Sequence, residues 1–112
     1  MDITVLLNYD FTPEWNNNKR EVKPVVFHMR RLTTAERDKF MVLKFDEGRA
    51  SVNPDRQGMF MNAVRSIDEL KLNGEQIKAP RDLLSQPGLD ALFTEVVADI
   101  IGQNDREDLK NS

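Results

Sequence analysis

His28 is the chain's only histidine, and there is no cysteine, so few residues here could do chemistry. His28 falls on the outward side of an alternating segment, beside Arg30, where it reads as a surface residue rather than a base or ligand. A metal site would need further imidazole or thiolate partners, and the sequence holds none; no metal or cofactor is expected. Carboxylates abound, but Glu36, Asp38, Asp46, Glu47, Asp68, Glu69, Asp105, Glu107 and Asp108 stand where caps, turns and solvated faces call for them. No pair is singled out for general acid and base work. Ser51, Ser66, Ser85 and Ser112 lie in no nucleophile-elbow context. Gly48, Gly58, Gly74, Gly88 and Gly102 are too dispersed to cradle a phosphate. These residue types at these spacings point away from an enzyme and toward a protein that works by binding.

Two places could carry such binding. Met59-Phe60-Met61 is the better candidate for an adaptable surface, because methionine packs against varied partners. Its alternative is a helix with Phe60 in the core and one methionine exposed. Trp15 lies in a polar loop; it is either an interface anchor or a ring folded back over the neighbouring sheet. The basic pairs Lys19-Arg20 and Arg30-Arg31 are too short for a nucleic-acid stripe, and no aromatic ladder accompanies them.

The chain has 112 residues, 39% of them hydrophobic and 31% charged, with a net charge of −3. That is enough for one modest core without staples, and the balance is that of a folded, well-solvated domain. An acidic balance argues against a dedicated nucleic-acid binder. No apolar run is long enough to cross a bilayer, and the first residues lack a basic region followed by an apolar run. The expectation is a cytosolic, single-domain protein, with residues 1–104 as the domain and 105–112 as a short polar tail.

The elements that must position these residues follow from periodicity. Residues 3–11 alternate, with Ile3, Val5, Leu7, Tyr9 and Phe11 on one side, as in a half-buried strand. Residues 12–20 read as a long mobile loop, with a proline, three asparagines and charge. A second strand carries Val25, Phe27 and Met29 on one face and Val26, His28 and Arg30 on the other, pairing with the first as an antiparallel hairpin. Thr33 and Glu36 form a capping-box signature for a helix over 35–41. Residues 40–45 fit a helix or a strand, and 46–52 read as loop. Asn53-Pro54-Asp55 predicts a helix start, with Asn53 as cap, leading to Met59, Phe60, Ala63, Val64 and Ile67. Asn73-Gly74 is a hairpin signal. Residues 80–84 start a short helix that Pro87-Gly88 breaks. Leu89, Leu92, Phe93, Val96, Val97, Ile100 and Ile101 then trace one face of an amphipathic helix, with Gly102 just past its end. The predicted class is α+β: an N-terminal antiparallel hairpin or small sheet packed against three to four helices, the last of them amphipathic.

The order of these parts is more specific than any one of them. Val25 to Asp38 reads as a strand, a basic pair, Leu-Thr and an Ala-Glu-Arg helix. Leu70-Lys71-Leu72-Asn73-Gly74-Glu75-Gln76-Ile77, the Asp82-Leu83-Leu84 element, Pro87-Gly88-Leu89 and a terminal helix follow, with Leu109-Lys110-Asn111-Ser112 at the end. This arrangement, over residues 22–112, resembles the small tail assembly chaperones of long-tailed bacteriophages and prophages. The first strand and the Trp15 loop have no counterpart in it, and it brings no catalytic residue. The resemblance implies a virus-encoded assembly factor in the bacterial cytoplasm. Such a factor would coat the tape-measure protein until tail-tube subunits polymerise around it, and would be missing from the finished virion. It also implies a longer, frameshifted form as a second partner. Leu109-Lys110-Asn111 encoded as TTA-AAA-AAC would contain the slippery run A-AAA-AAC, which reading the gene would show or dismiss. A homo-oligomer is compatible with this reading; nucleic acid and membrane are not expected partners. Two other readings stand beside it: a minor tail or head–tail joining protein kept in the virion, and a small acidic regulatory protein.

Overall fold

The computed structural model describes residues 1–103 and the backbone of Lys110 and Asn111. The chain is α+β. Its centre is a three-stranded antiparallel sheet in the order β2 (Asn8–Phe11), β3 (Val26–Arg30), β6 (Val64–Asp68). Asn8 pairs with Arg30 and Phe11 with Phe27, the expected N-terminal hairpin. The alternation in β3 sorts as its residue types require: Phe27 and Met29 are fully buried, while Val26, His28 and Arg30 lie half-buried on the other side. β6 joins the far side of β3, with a bulge opposite His28 and Met29.

Helices cover the buried face. α2 (Arg56–Ala63) brings Met59, Phe60 and Ala63, each with no exposed surface. α3 (Pro80–Leu84) adds Leu83. α4 (Asp90–Gln103) adds Leu92, Val96, Val97 and Ile100, with Leu89 just ahead of it. Phe93 and Ile101 border the same core, so the predicted stripe is the buried face. Phe60 sits at the junction, edge-on to Phe27 at 6.4 Å and tilted against Phe93 at 5.1 Å. α1 (Thr34–Lys39) opens with the predicted capping box: Glu36 N–H donates to the Thr33 hydroxyl and Thr33 N–H to the Glu36 carboxylate.

Several expectations are corrected. The first strand does not run unbroken from residue 3 to 11. β1 (Ile3–Thr4) is a separate short strand paired with the backbone of Lys110–Asn111, and Ile3, Val5 and Leu7 are exposed. The predicted polar tail otherwise lies outside the described residues. The second helix starts at Arg56, not after Asn53, because the Asp55 carboxylate caps it by accepting from Gly58 N–H at 3.0 Å. It also stops at Ala63; Val64 and Ile67 keep their places in the core but as β6, where a β-branched pair bordering β3 gains more than in a helix. Gly102 lies within α4 rather than beyond it.

The predicted mobile loop is tied down. Asn16 and Asn17 take positive φ of 54° and 57°, which asparagine tolerates better than most residues. Asn18 is then buried: its amide donates to the carbonyls of Pro13 (2.9 Å) and Val25 (3.0 Å) and accepts from Val25 N–H (2.7 Å). The Glu95 carboxylate on α4 accepts from Glu14 and Trp15 N–H at 2.6 and 3.0 Å. At the other end of α4, Tyr9 donates to Asp99 at 2.8 Å, and Arg31 donates to the Gln103 carbonyl at 3.1 Å while lying 5.2 Å from the Tyr9 ring centroid.

Candidate functional site

Of residues 40–45, open between helix and strand in the sequence, Phe40 caps the C-terminus of α1 and 41–45 are strand. β4 (Met41–Asp46) pairs with β5 (Arg49–Pro54) through the segment expected to be loop. The connection is the two-residue turn Glu47-Gly48, both at positive φ (49° and 77°), the pattern of a type I′ turn. Glycine takes this conformation freely; glutamate at the first position is unusual, which hides the turn from composition.

Register makes this hairpin the candidate site. Directly opposed residues share a face, so Met41/Pro54, Leu43/Val52 and Phe45/Ala50 form one side, and Val42/Asn53, Lys44/Ser51 and Asp46/Arg49 the other. One side is entirely apolar. Only its root is half-buried, where Met41 packs on the core; further out, Leu43, Val52 and Phe45 are 56%, 62% and 74% exposed. A two-stranded ribbon with an apolar face buries too little to be complete by itself, and contiguous exposed apolar surface marks an interaction site.

The root is held firmly. Asp55 N–H donates to the Phe40 carbonyl at 2.5 Å, closing the ladder just beyond Met41 and Pro54. Asp55 caps α2, and α2 approaches so closely that a Cβ on Gly58 would lie 2.5 Å from the Asp55 carboxylate and 2.8 Å from the Phe40 ring. The unfavourable glycine in this helix is thus the contact that seats the hairpin. Val42, Lys44 and Asn53 of the polar side line an open depression of about 380 Å³ with Arg56, Gln57 and Phe93. Arg56 lies 4.9 Å from the Phe93 ring centroid and donates to Thr94 at 2.7 Å.

The residues singled out from sequence are not gathered into this surface. Met59 and Phe60 are fully buried, so neither can anchor a partner; Met61 alone of the three is exposed, at 41%. Trp15 is half-buried against the core, the folded-back alternative, and borders a separate depression of about 350 Å³ with Val25, Leu70, Leu72 and Leu89. Sequence reading missed Leu43, Phe45, Ala50 and Val52. The signal was there as alternation on both sides of Glu47-Gly48.

On the open face of the central sheet, His28 bridges two carboxylates: Asp10 at Nδ1 (2.8 Å) and Asp68 at Nε2 (2.6 Å). Asp10 is directly opposite on β2 and Asp68 diagonal on β6, so one imidazole spans all three strands. The hydrogen bonds to Asp68 and then Asp10 raise its pKa above the ordinary 6.5. Arg30, two residues on, makes a bidentate pair with Glu36 at 2.9 and 2.8 Å. That pair and the capping-box bond from Thr33 lower the Glu36 pKa to about 2. Both arrangements are inter-element ties, and among the described residues no group of three or more His, Cys, Asp or Glu could hold a metal ion. No helix among the described residues is long and apolar enough to cross a membrane.

Comparison with known proteins adds no relative: no family model, curated protein or solved structure matches this chain.

Proposed function

We propose that this chain is a non-enzymatic assembly factor of the tail assembly chaperone kind, which uses the apolar face of the β4–β5 hairpin to cover an apolar stripe on the tape-measure protein. The observation that carries the reading is the exposure of Leu43, Phe45 and Val52 on one face of a hairpin whose root is fixed. The order of sequence elements resembles that family, and the hairpin offers what such a factor needs: apolar surface presented to a client. A tape-measure helix carries apolar stripes that need temporary cover before the tube closes around it, and an apolar sheet face meets such a stripe by simple burial. The area on one copy is modest, which suits release, and many copies along one long client would act together.

The reading requires a gene for a very long helical protein beside this one, and co-expression with that product tests it. The client should become soluble and co-purify with the chain, and Phe45→Lys should abolish both. A client that stays insoluble with the wild-type chain overturns the proposal. A structural tail or head–tail joining protein is the second reading, favoured by the same hairpin because projecting strands also lock neighbouring subunits together. Mass spectrometry of purified particles separates the two, since a chaperone is missing from them and a joint is present.

A further inference from the structure

We propose that the open edge of β4 pairs antiparallel with β4 of a second copy, about a two-fold axis through Leu43, giving a four-stranded sheet with one continuous apolar face. The inference rests on the hairpin being the interaction surface and names what first occupies its edge.

Hairpin geometry selects the edge. A two-residue turn makes Asp46/Arg49 the hydrogen-bonded closing pair, so Lys44/Ser51 and Val42/Asn53 are the other bonded pairs. The backbone groups of Met41, Leu43 and Phe45 therefore face outward on β4, and those of Ala50, Val52 and Pro54 on β5. Among the described residues the β4–β5 sheet has two strands, so neither edge is paired with a further strand. Pro54 has no N–H to offer, and proline on an edge strand blocks addition of a further strand. β4 carries no proline and no charge on its apolar side, so its edge is the unprotected one.

Register selects the axis. Pairing Leu43 with Lys44 of a second copy would set the apolar side of one hairpin against the polar side of the other, which a half-apolar ribbon disfavours. Centring on Lys44 would place two like charges directly opposite each other. Centring on Leu43 pairs Leu43 with its own copy and Met41 with Phe45, keeps the apolar sides continuous, and opposes Lys44 with Val42. In this antiparallel register the two tips point in opposite directions. The charges at each tip, Lys44, Asp46, Glu47 and Arg49, cancel, so each tip lies against the root of the other copy without bringing a net charge to it.

Area explains why the copies pair by the edge and not face to face. With side chains of on the order of 150–200 Å² each, the exposed parts of Leu43, Phe45 and Val52 offer roughly 350 Å². A stable face-to-face dimer needs roughly 800 Å² from each partner. Width agrees: two strands stand roughly 5 Å apart, whereas a helix is roughly 10 Å across. Edge pairing doubles the face and leaves it open for a client.

The chain has no cysteine, so single introduced thiols report the geometry. In the proposed pair the two copies of residue 43 have Cα atoms roughly 5.5 Å apart, within disulfide range. The two copies of residue 52 lie three strand spacings apart, roughly 14 Å. Under mild oxidation, Leu43→Cys should give a disulfide-linked dimer whose formation slows on dilution, and Val52→Cys should remain monomeric. Both positions are exposed, and circular dichroism checks that both variants fold. A folded Leu43→Cys that stays monomeric overturns the pairing, as does a Val52→Cys that links as fast. Solubilisation of the client by the wild-type chain is read separately, so it can survive the failure of this pairing or fail while the cross-link forms.

Discussion

Replacing Phe45 by threonine separates folding from association. Phe45 is 74% exposed, so the fold hides about a quarter of it. With a phenylalanine surface of about 200 Å², the hidden part is about 50 Å², worth about 1 kcal/mol of stability. The exposed part is about 150 Å², worth up to about 4 kcal/mol if a partner covers it fully. Threonine keeps the preference for extended backbone, so the substitution should not melt the hairpin. Phe60→Ala is the contrast, because Phe60 is fully buried between Phe27 and Phe93 and its truncation should cost about 3–5 kcal/mol. Urea denaturation gives the stability of each variant, and co-purification with the client gives association. Phe45→Thr should unfold within about 1 kcal/mol of the parent while losing most client binding. The reasoning is refuted if Phe45→Thr is destabilised as far as Phe60→Ala, or if it solubilises the client as well as the parent does.

Three further perturbations test how the parts are held. Asn18→Ala removes all three bonds to Pro13 and Val25 at a buried site and should cost about 3 kcal/mol in urea denaturation; a cost below about 0.5 kcal/mol would mean the loop is not organised from this side chain. Gly58→Ala would gain up to about 1 kcal/mol of helix propensity in an open helix, yet here the added methyl meets the Asp55 carboxylate and the Phe40 ring, so a net loss of about 1 kcal/mol and slower-unfolding parent protein are expected. His28 has a folded pKa raised above its ordinary value, so its contribution is fully present below about pH 6.5 and is lost as pH rises through the raised value. Stability of the parent should fall across that window, His28→Gln should show no such fall, and the imidazole should titrate above 6.5 by NMR; titration at or below 6.5 would show that Asp10 and Asp68 do not hold it.

How much of this was legible in the sequence depended on how local the signal was. The capping box at Thr33 and Glu36, the Asn73-Gly74 turn and the stripe from Leu89 to Ile101 are set by neighbours a few residues apart, and each forms where its pattern places it. Met59 and Phe60 were visible as apolar residues on one helix, but whether they faced a partner or the core depended on Phe27 and Phe93, far away in sequence. The hairpin at 41–54 was hidden for a different reason. Its turn uses Glu47 where asparagine or aspartate would have announced it, and Arg49, Ser51 and Asn53 make β5 look like a loop until the register sets Ala50 and Val52 beside Phe45 and Leu43. Burial of Asn18 could not be read from an Asn triplet either, since only its partners Pro13 and Val25 distinguish it from Asn16 and Asn17.

An exposed apolar ribbon carries a risk of aggregation, and its construction limits that risk in a way that bears on affinity. The hairpin is set by its own turn at one end and by Phe40, Met41, Asp55 and Gly58 at the other, so it is formed before any partner arrives. A partner then does not bear the cost of ordering it, and association keeps more of the free energy that burial supplies. The face is nevertheless small, and Pro54 closes one edge, so growth by strand addition stops at a pair instead of continuing as a fibre. A firm but narrow surface that pairs once and leaves one side open favours many weak contacts along an extended client over one tight contact with a compact one. The proposed role as a temporary cover calls for this energetic profile, because each pair could be displaced by itself as permanent subunits arrive.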